Sequence, residues 1–368
     1  MNRRDFLLGG TALSLGAASS FSAFAQGAPG AFAPKPTAWR RFEVTTRMEI
    51  AEAEGQAQAW IPLPSVNEPD WIRLMGSLWT TNAANAVQVR DPRSGAEMLH
   101  AVWEKDEAKP VVEVQSRFAA RDRWIDLAKP GPTPALSAKA RLHYTAATRL
   151  LPTDGIVRET ARKITQGARS DVDKARLLYA WIVDNTFRDP KIRGCGLGNI
   201  AYMLETGNLG GKCADLNALF VGMARASGLP ARDLYGIRVA PSKFGYKSLG
   251  ANSEIITKAQ HCRAEVYFTG FGWFPVDPAD VRKVVLEEPP GNLALADAMV
   301  VNARKTLFGA WETNWLAYNS GLDIVLPGSK GPTLEFLMYP QAETAAGRLD
   351  SLDPDAFRYT IKAAELAA

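Results

Sequence analysis

The chain has 368 residues, 46% of them hydrophobic and 22% charged, with 30 Gly and 23 Pro, proportions that exclude a disordered, collagen-like or multi-pass membrane protein. Forty-three Lys and Arg against 39 Asp and Glu leave a formal net charge of +4, and the cations are dispersed, so no nucleic-acid partner is expected. The length predicts roughly two domains of about 150 residues each.

In chain order, Asn2-Arg3-Arg4-Asp5-Phe6-Leu7-Leu8 is a twin-arginine pattern, followed by an apolar run through Ala18 and by Ala23-Phe24-Ala25, small residues that suit cleavage. Residues 1–25 therefore read as a twin-arginine signal peptide, and the mature protein as periplasmic or secreted. The apolar run is short of the about 20 residues of a membrane span, as is every later stretch, so no stable membrane insertion is expected. Residues 26–38, with Pro29, Pro34 and Pro36, read as a flexible leader.

Phe42, Val44, Thr46, Met48 and Ile50 then alternate with polar neighbours, the period of a half-buried strand. After Glu54-Gly55 the series Ala57, Ala59, Ile61, Leu63 repeats the pattern, which predicts a hairpin. Further strands are expected at 87–89, 98–103, 111–118 and 138–144, making a β-sandwich domain over 39–150. Six of the ten Trp fall between Trp39 and Trp124; they read as core packing and not as a sugar platform.

From Leu151-Pro152-Thr153-Asp154-Gly155 onward the period becomes helical, and 151–368 is read as an α+β domain with C-terminal strands. Helices are expected over 156–166, 172–187 with Asp171 as cap, and 213–227, the last stopped by Gly228 and Pro230. Strands follow at 231–239, 262–268 and 273–276, then a helix near 296–316 and strands near 322–326, 334–339 and 357–363. Gly194-Cys195-Gly196-Leu197-Gly198-Asn199 lacks the last Gly of a dinucleotide fingerprint and follows a helix. Gly211-Lys212-Cys213 lacks the upstream Gly and the following Ser or Thr of a phosphate loop. No cofactor is expected.

The chemistry concentrates on three residues. Cys213 opens the amphipathic helix after Asn208-Leu209-Gly210-Gly211-Lys212, at the positive end of the helix dipole, where a thiolate is favoured. His261 begins a strand that turns at Thr269-Gly270-Phe271-Gly272 and returns to Asp277. A hairpin centred near Gly270 sets position 279 opposite 261 and makes 277 its same-face diagonal neighbour, so His261 and Asp277 should touch. A His oriented by a carboxylate is what a cysteine nucleophile requires. Asp280 is expected on the opposite face, Asp215 as a stabiliser of the helix start, and His100 and His143 as structural residues, the latter on the polar side of a strand.

Cys195 and Cys262 complete an odd set of three cysteines. Without Cys-x-x-Cys or His-x-x-x-His spacing no metal site is expected. Cys262 should face away from Cys213 because its neighbour His261 faces toward it. It either meets Cys195 behind the site in a disulfide or, the reading favoured by so few cysteines, both remain separate buried thiols.

Gly-Gly-Lys-Cys-Ala-Asp-Leu-Asn-Ala-Leu-Phe (210–220) with Ala226-Ser227-Gly228-Leu229-Pro230-Ala231-Arg232 resembles the nucleophile helix and exit turn of the transglutaminase-like superfamily. His261, Glu265-Val266-Tyr267 and Gly272-Trp273-Phe274-Pro275-Val276-Asp277-Pro278 resemble its His and Asp blocks, in the family's order. One departure is Cys262-Arg263, where many members have Ala-Trp, so substrate specificity is not carried over. The resemblance covers about 150–285 and implies a papain-like core, here preceded by the β-sandwich. It further implies a thiol enzyme acting on a peptide or protein amide through Cys213, His261 and Asp277 and a thioester, with hydrolysis first and glutamine transamidation second. A non-catalytic envelope-binding module on the same fold is the reading from another class.

Overall fold

The computed structural model describes residues 31–51 and 55–367; the expected signal peptide and the first part of the leader lie outside the described residues. The chain begins with β1 (Arg40–Glu49), β2 (Gln58–Leu63), β3 (Ile72–Thr81), β4 (Asn85–Arg90), β5 (Glu97–Val102), β6 (Val111–Ala120) and β7 (Arg123–Trp124). There follow α1 (Ala138–Thr145), α2 (Gly155–Ile164), α3 (Asp171–Asn185), β8 (Phe187–Arg188), α4 (Ile200–Thr206), β9 (Gly210–Gly211), α5 (Cys213–Ala226), β10 (Ala231–Arg238), β11 (Gln260–Phe268), β12 (Gly272–Val276), α6 (Pro278–Glu287) and α7 (Ala298–Thr306). The last part holds β13 (Ala310–Trp311), β14 (Trp315–Asn319), β15 (Leu322–Ile324), β16 (Leu334–Phe336), β17 (Gln341–Thr344), β18 (Gly347–Arg348), α8 (Pro354–Phe357) and β19 (Tyr359–Leu366).

Alternation in β1 buries Phe42, Val44, Thr46 and Met48 against Ile61, Leu63, Leu99 and Trp103 from the facing sheet. The two sheets have strand orders β19-β1-β6-β3 and β18-β17-β2-β5-β4, all antiparallel. The predicted hairpin of β1 with β2 does not form: the strands lie in different sheets and turn their apolar faces toward one core. β2 is buried on both faces because Ile324, Leu326 and Leu337 cover Trp60 and Met98 from outside. Strand β3 escaped the sequence pattern; it runs along the sheet edge and is broken by a bulge between Leu74 and Ser77, with Gly76 at φ +97.

Two C-terminal strands complete these sheets, β19 beside β1 and β17 beside β2, so the boundary expected at 150/151 does not divide the sheets. The stretch 138–144 is helix α1 and not a strand. Ser137 Oγ accepts from the Ala140 N–H at 3.2 Å, and Ala, Lys, Arg and Leu all favour helix. His143 therefore sits in a surface helix with no buried residue. The helix expected over 296–316 is confined to α7; beyond Phe308-Gly309, with Gly309 at φ +123, the chain turns into β13 and β14. The described end of the leader is anchored: Phe32 is buried against Phe244 and Tyr246, and its carbonyl accepts from Thr306.

The α+β core packs α5 against a sheet of order β12-β11-β10-β14. Leu216, Leu219, Phe220 and Met223 are fully buried as their spacing requires, at about 1.5–3 kcal/mol each. The remaining faces of α5 are buried too, because α2 and α3 enclose it.

Candidate active site

Asp215 fixes the start of α5. Its Oδ2 accepts from the Lys212 N–H at 2.9 Å, while Oδ1 accepts from Leu197 and Gly198 at 3.0 and 2.9 Å. The acid thus stabilises the helix start, as its position predicts, and also clamps the Gly-rich loop onto it. Gly196 is required at the contact: it has φ +91, and a Cβ would stand 1.8 Å from Asp215 Oδ2. The Ala214 N–H donates to the Cys195 carbonyl at 2.9 Å, which ties the loop to the residue after Cys213.

His261 is held from the side by β10 and β14. Its partner in β10 is Gly236, where a Cβ would lie 2.0 Å from the Leu316 carbonyl; the absence of a side chain lets Trp315 close in, and Trp315 Nε1 donates to the His261 carbonyl at 3.0 Å. Further along β11, buried Glu265 accepts from Arg232 at 2.5 Å and from Arg123 of β7, which joins the sandwich to this strand. The β11–β12 register, Ala264↔Val276 through Phe268↔Gly272, centres on Gly270 as predicted.

The strand ends at Val276, however, and Asp277 becomes the cap of α6, with Pro278 at the first helical position. Asp277 Oδ1 accepts from the Asp280 N–H at 3.0 Å and from Asn217 Nδ2 at 3.2 Å, while Oδ2 lies 2.8 Å from His261 Nε2. Asp280 does not point away: one helical turn brings its Oδ2 to 3.3 Å from the same Nε2, because the alternation that would separate positions 277 and 280 stops at the helix. The Asp277-Pro278-Ala279-Asp280 run is an N-terminal helix signal that could have revealed this. Arg238 bonds Asp280 at 2.5 Å, and Arg263, stacked between Trp311 and Trp315, sits 3.6 Å from Asp277. No local pattern marked Asn217, Arg238 or Arg263 as parts of the site.

Burial opposes the charged imidazole and Arg238 adds to that, yet Asp280 and Asp277 outweigh both and push His261 up to about 9. Burial and Asp280 raise the Asp277 carboxyl, while Arg238 holds Asp280 well below the carboxylate range against its own burial. Burial also works against ionised Cys213, but hydrogen bonds with Cys195, Cys262 and His261 and the His261 charge draw the thiol well below its ordinary value. Its neighbours go the other way: the bond to Cys213 raises Cys195, and burial raises Cys262. Both shifts favour a thiolate on Cys213 beside an imidazolium on His261.

Cys262 does not face away from Cys213. The sulfurs of Cys195, Cys213 and Cys262 all lie within 4.8 Å of one another, and all three are buried and unbridged. Cys213 meets the side chains of both residues, although 261 and 262 are in regular register with β10. The thiols are free, but they are a cluster and not two isolated residues. His261, Asp277 and Asp280 also bring their ligand atoms within 4.8 Å; Arg238 and Arg263 already occupy those acids and repel a cation. His100 stacks on Trp60 and bonds Gln58 at 3.1 Å, and His143 packs on Tyr144. Neither lines the cleft at Cys213.

The family model described as transglutaminase-like superfamily matches residues 158–278, which contain Cys213, His261 and Asp277. An uncharacterised protein of Haemophilus influenzae is 36% identical over 321 residues, covering 83% of this chain and 86% of that protein. The chain belongs to the transglutaminase-like superfamily. A proposed cysteine protease from Cytophaga hutchinsonii has the same fold at 13% identity, with a TM-score of 0.51 over 90% of this chain and 100% of that one. The periplasmic domain of TgpA from Pseudomonas aeruginosa is a looser likeness, 14% identical with a TM-score of 0.35 over 68% of this chain and 90% of that domain.

In this transglutaminase-like chain Cys213 and His261 open onto a cleft of about 560 Å3, whose lining also includes Ile256, Tyr339 and Tyr359. The backbone N–H of Cys213 is first in its helix and so has no acceptor within the helix. Among the described residues no helix is long and apolar enough to cross a membrane.

Proposed function

We propose that the protein is an exported cysteine hydrolase of amide bonds in peptides or proteins. The observation that carries the reading is Cys213 at the start of α5, lining one open cleft with an imidazole bonded to Asp277. Cys213 Sγ attacks the amide carbonyl and forms a C–S bond; the C–N bond breaks as His261 gives its proton to the leaving amine. His261 then takes a proton from water, the resulting hydroxide attacks the thioester, and the acid leaves as Cys213 is restored. Asp277 holds the imidazole by Nε2, which leaves Nδ1 for the thiol and the leaving group. Export is carried by the twin-arginine pattern of residues 2–8.

The test is to incubate an envelope extract with the wild-type protein, quench it in acid and seek a thioester adduct on Cys213 by mass spectrometry, with the Cys213→Ala protein as control. A labelled form of that acyl donor is then given to the wild-type protein with and without a primary amine. Free acid in both cases supports hydrolysis, an amide product identifies a transamidase, and binding with no thioester identifies a module. Cys213→Ala and His261→Ala should each abolish turnover, and Asp277→Asn should leave a residue of it.

A further inference from the structure

The lining of the cleft is cationic, which bears on what the cleft receives. Arg188, Lys212, Arg238, Lys258 and Lys283 line it, and no Asp or Glu does. The acids that serve these cations stand behind them. Asp280 is bonded to Arg238, while Glu287 is bonded to Arg188 and lies 3.7 Å from Lys283, so one carboxylate is shared between two cations. Exposed Lys258 has Asp355 at 3.8 Å. Among the described residues no carboxylate pairs with Lys212, which directly precedes the nucleophile. The positive charges thus exceed the negative ones on the side of Cys213 where α6 and the β8–β9 pair meet.

These cations are not what ionises the thiol: the groups acting most strongly on Cys213 are Cys195, Cys262 and His261. Nor are they fully neutralised by the carboxylates that Arg188, Arg238 and Lys283 share. Burial and Arg238 hold the Lys283 ammonium below its usual range, the signature of a charge short of compensation. Lys283 keeps only 18% of its side chain exposed and Arg188 14%, so an anion entering here meets partly desolvated partners, where an ion pair is stronger than at an open surface.

We propose that the cleft selects amides that carry a free carboxylate close to the scissile bond, with Lys212 and Lys283 as the residues that determine this specificity. The proposal rests on the hydrolase reading and narrows its substrates to acidic peptides. Neutral and basic peptides lack the counter-charge, and a basic residue in that position meets repulsion from Lys212, Lys283 and Arg188 together.

Two alkylating agents of nearly equal size test this without a known substrate. In iodoacetate and iodoacetamide alike the Cys213 thiolate attacks the CH2 carbon, forming an S–CH2 bond as the C–I bond breaks and iodide leaves to solvent, but only iodoacetate is an anion. The ratio of their second-order rates at Cys213, followed by peptide mass spectrometry, cancels any change in the thiol itself. The ratio is to be measured for the wild-type protein, for Lys212→Met/Lys283→Met and for Lys212→Arg/Lys283→Arg, at low and high salt. The expected result is a fall of about ten-fold in the Met variant, retention in the Arg variant, and a wild-type ratio that drops with salt. A ratio unchanged by the Met substitutions, with Cys213 still the residue alkylated, overturns the anionic selection and leaves the nucleophile standing. Alkylation at Cys195 or Cys262 in place of Cys213 overturns the hydrolase reading, and this inference with it.

Discussion

Replacing Asp280 by Asn separates the second carboxylate from the first. Asp280 Oδ2 lies 3.3 Å from His261 Nε2, and at an effective dielectric near 20 such a pair interacts by about 5 kcal/mol. At about 1.4 kcal/mol per unit this is an upper limit of between three and four units on the imidazole. The substitution also unpairs Arg238, whose charge acts against the imidazolium. His261, held at about 9 in the intact site, should therefore fall by about two units or more. The sign follows: a lower imidazole pKa means that the imidazolium is lost at lower pH, and Cys213, deprived of that charge, ionises at higher pH. The range over which the thiolate–imidazolium pair exists closes from both ends. Turnover and Cys213 alkylation, each followed across about pH 4 to 11, should show the alkaline limb of turnover moving toward neutrality and the acid limb of alkylation rising. A buried, unpaired Arg238 costs about 3–5 kcal/mol, so thermal midpoints belong in the same experiment. The Arg238→Met/Asp280→Asn protein, which removes both charges, should recover stability and much of the pH range. An alkaline limb within about half a unit of wild type in folded Asp280→Asn protein refutes the reasoning and assigns the imidazole to Asp277 alone.

Gly196→Ala should cost about 2–4 kcal/mol in chemical denaturation and slow Cys213 alkylation, because the new Cβ drives Asp215 from three backbone donors. Gly207→Ala, at φ +68 but with nothing within 4 Å of its Cβ, should cost about 1 kcal/mol and leave the thiol alone; equal losses at the two positions would count against the Asp215 clamp. Asp233→Asn should stabilise the protein at pH 8 by up to about 4 kcal/mol and much less at pH 4. Neither oxygen of this buried acid has a hydrogen-bond partner, and burial raises it to about 7. The folded protein holds that proton more tightly than the unfolded chain, so wild-type stability is lost as pH rises from about 4 through about 7. The variant escapes that loss, and an equal gain at both pH values would disprove it.

Where local chemistry decides, the sequence was readable. Thr269-Gly270-Phe271-Gly272 centres the hairpin that aligns His261 with Asp277, and Gly228 with Pro230 ends the nucleophile helix close to where it was expected. Asp280 was misplaced because strand alternation was carried past Pro278, whose presence at a helix start was the stronger signal. Alternation likewise misled at 138–144, where Ala138, Ala140, Leu142 and Tyr144 alternate with polar residues although the surface segment follows helix propensity. The pairing of β1 with β19 and of β2 with β17 leaves no trace in local periodicity, since a strand's partner is set by the whole fold. The three-thiol cluster is of the same kind, assembled from a loop, a helix start and a strand start far apart in the chain.

The closing of the first sheet by the last strand sets an order on the birth of the molecule. Arg40 bonds Glu365, 325 positions away, and Tyr359 of that same strand walls the cleft. During synthesis β1 and β2 emerge early and must wait, each with an unpaired edge, until β19 and β17 have left the ribosome. Such long-range pairing is slow, and the waiting edges are the surfaces through which nascent chains stick to one another. The cleft at Cys213, sharing its wall with that closing strand, takes its full shape only once β19 has been made, so a chain cut short before it carries Cys213 beside an unfinished wall.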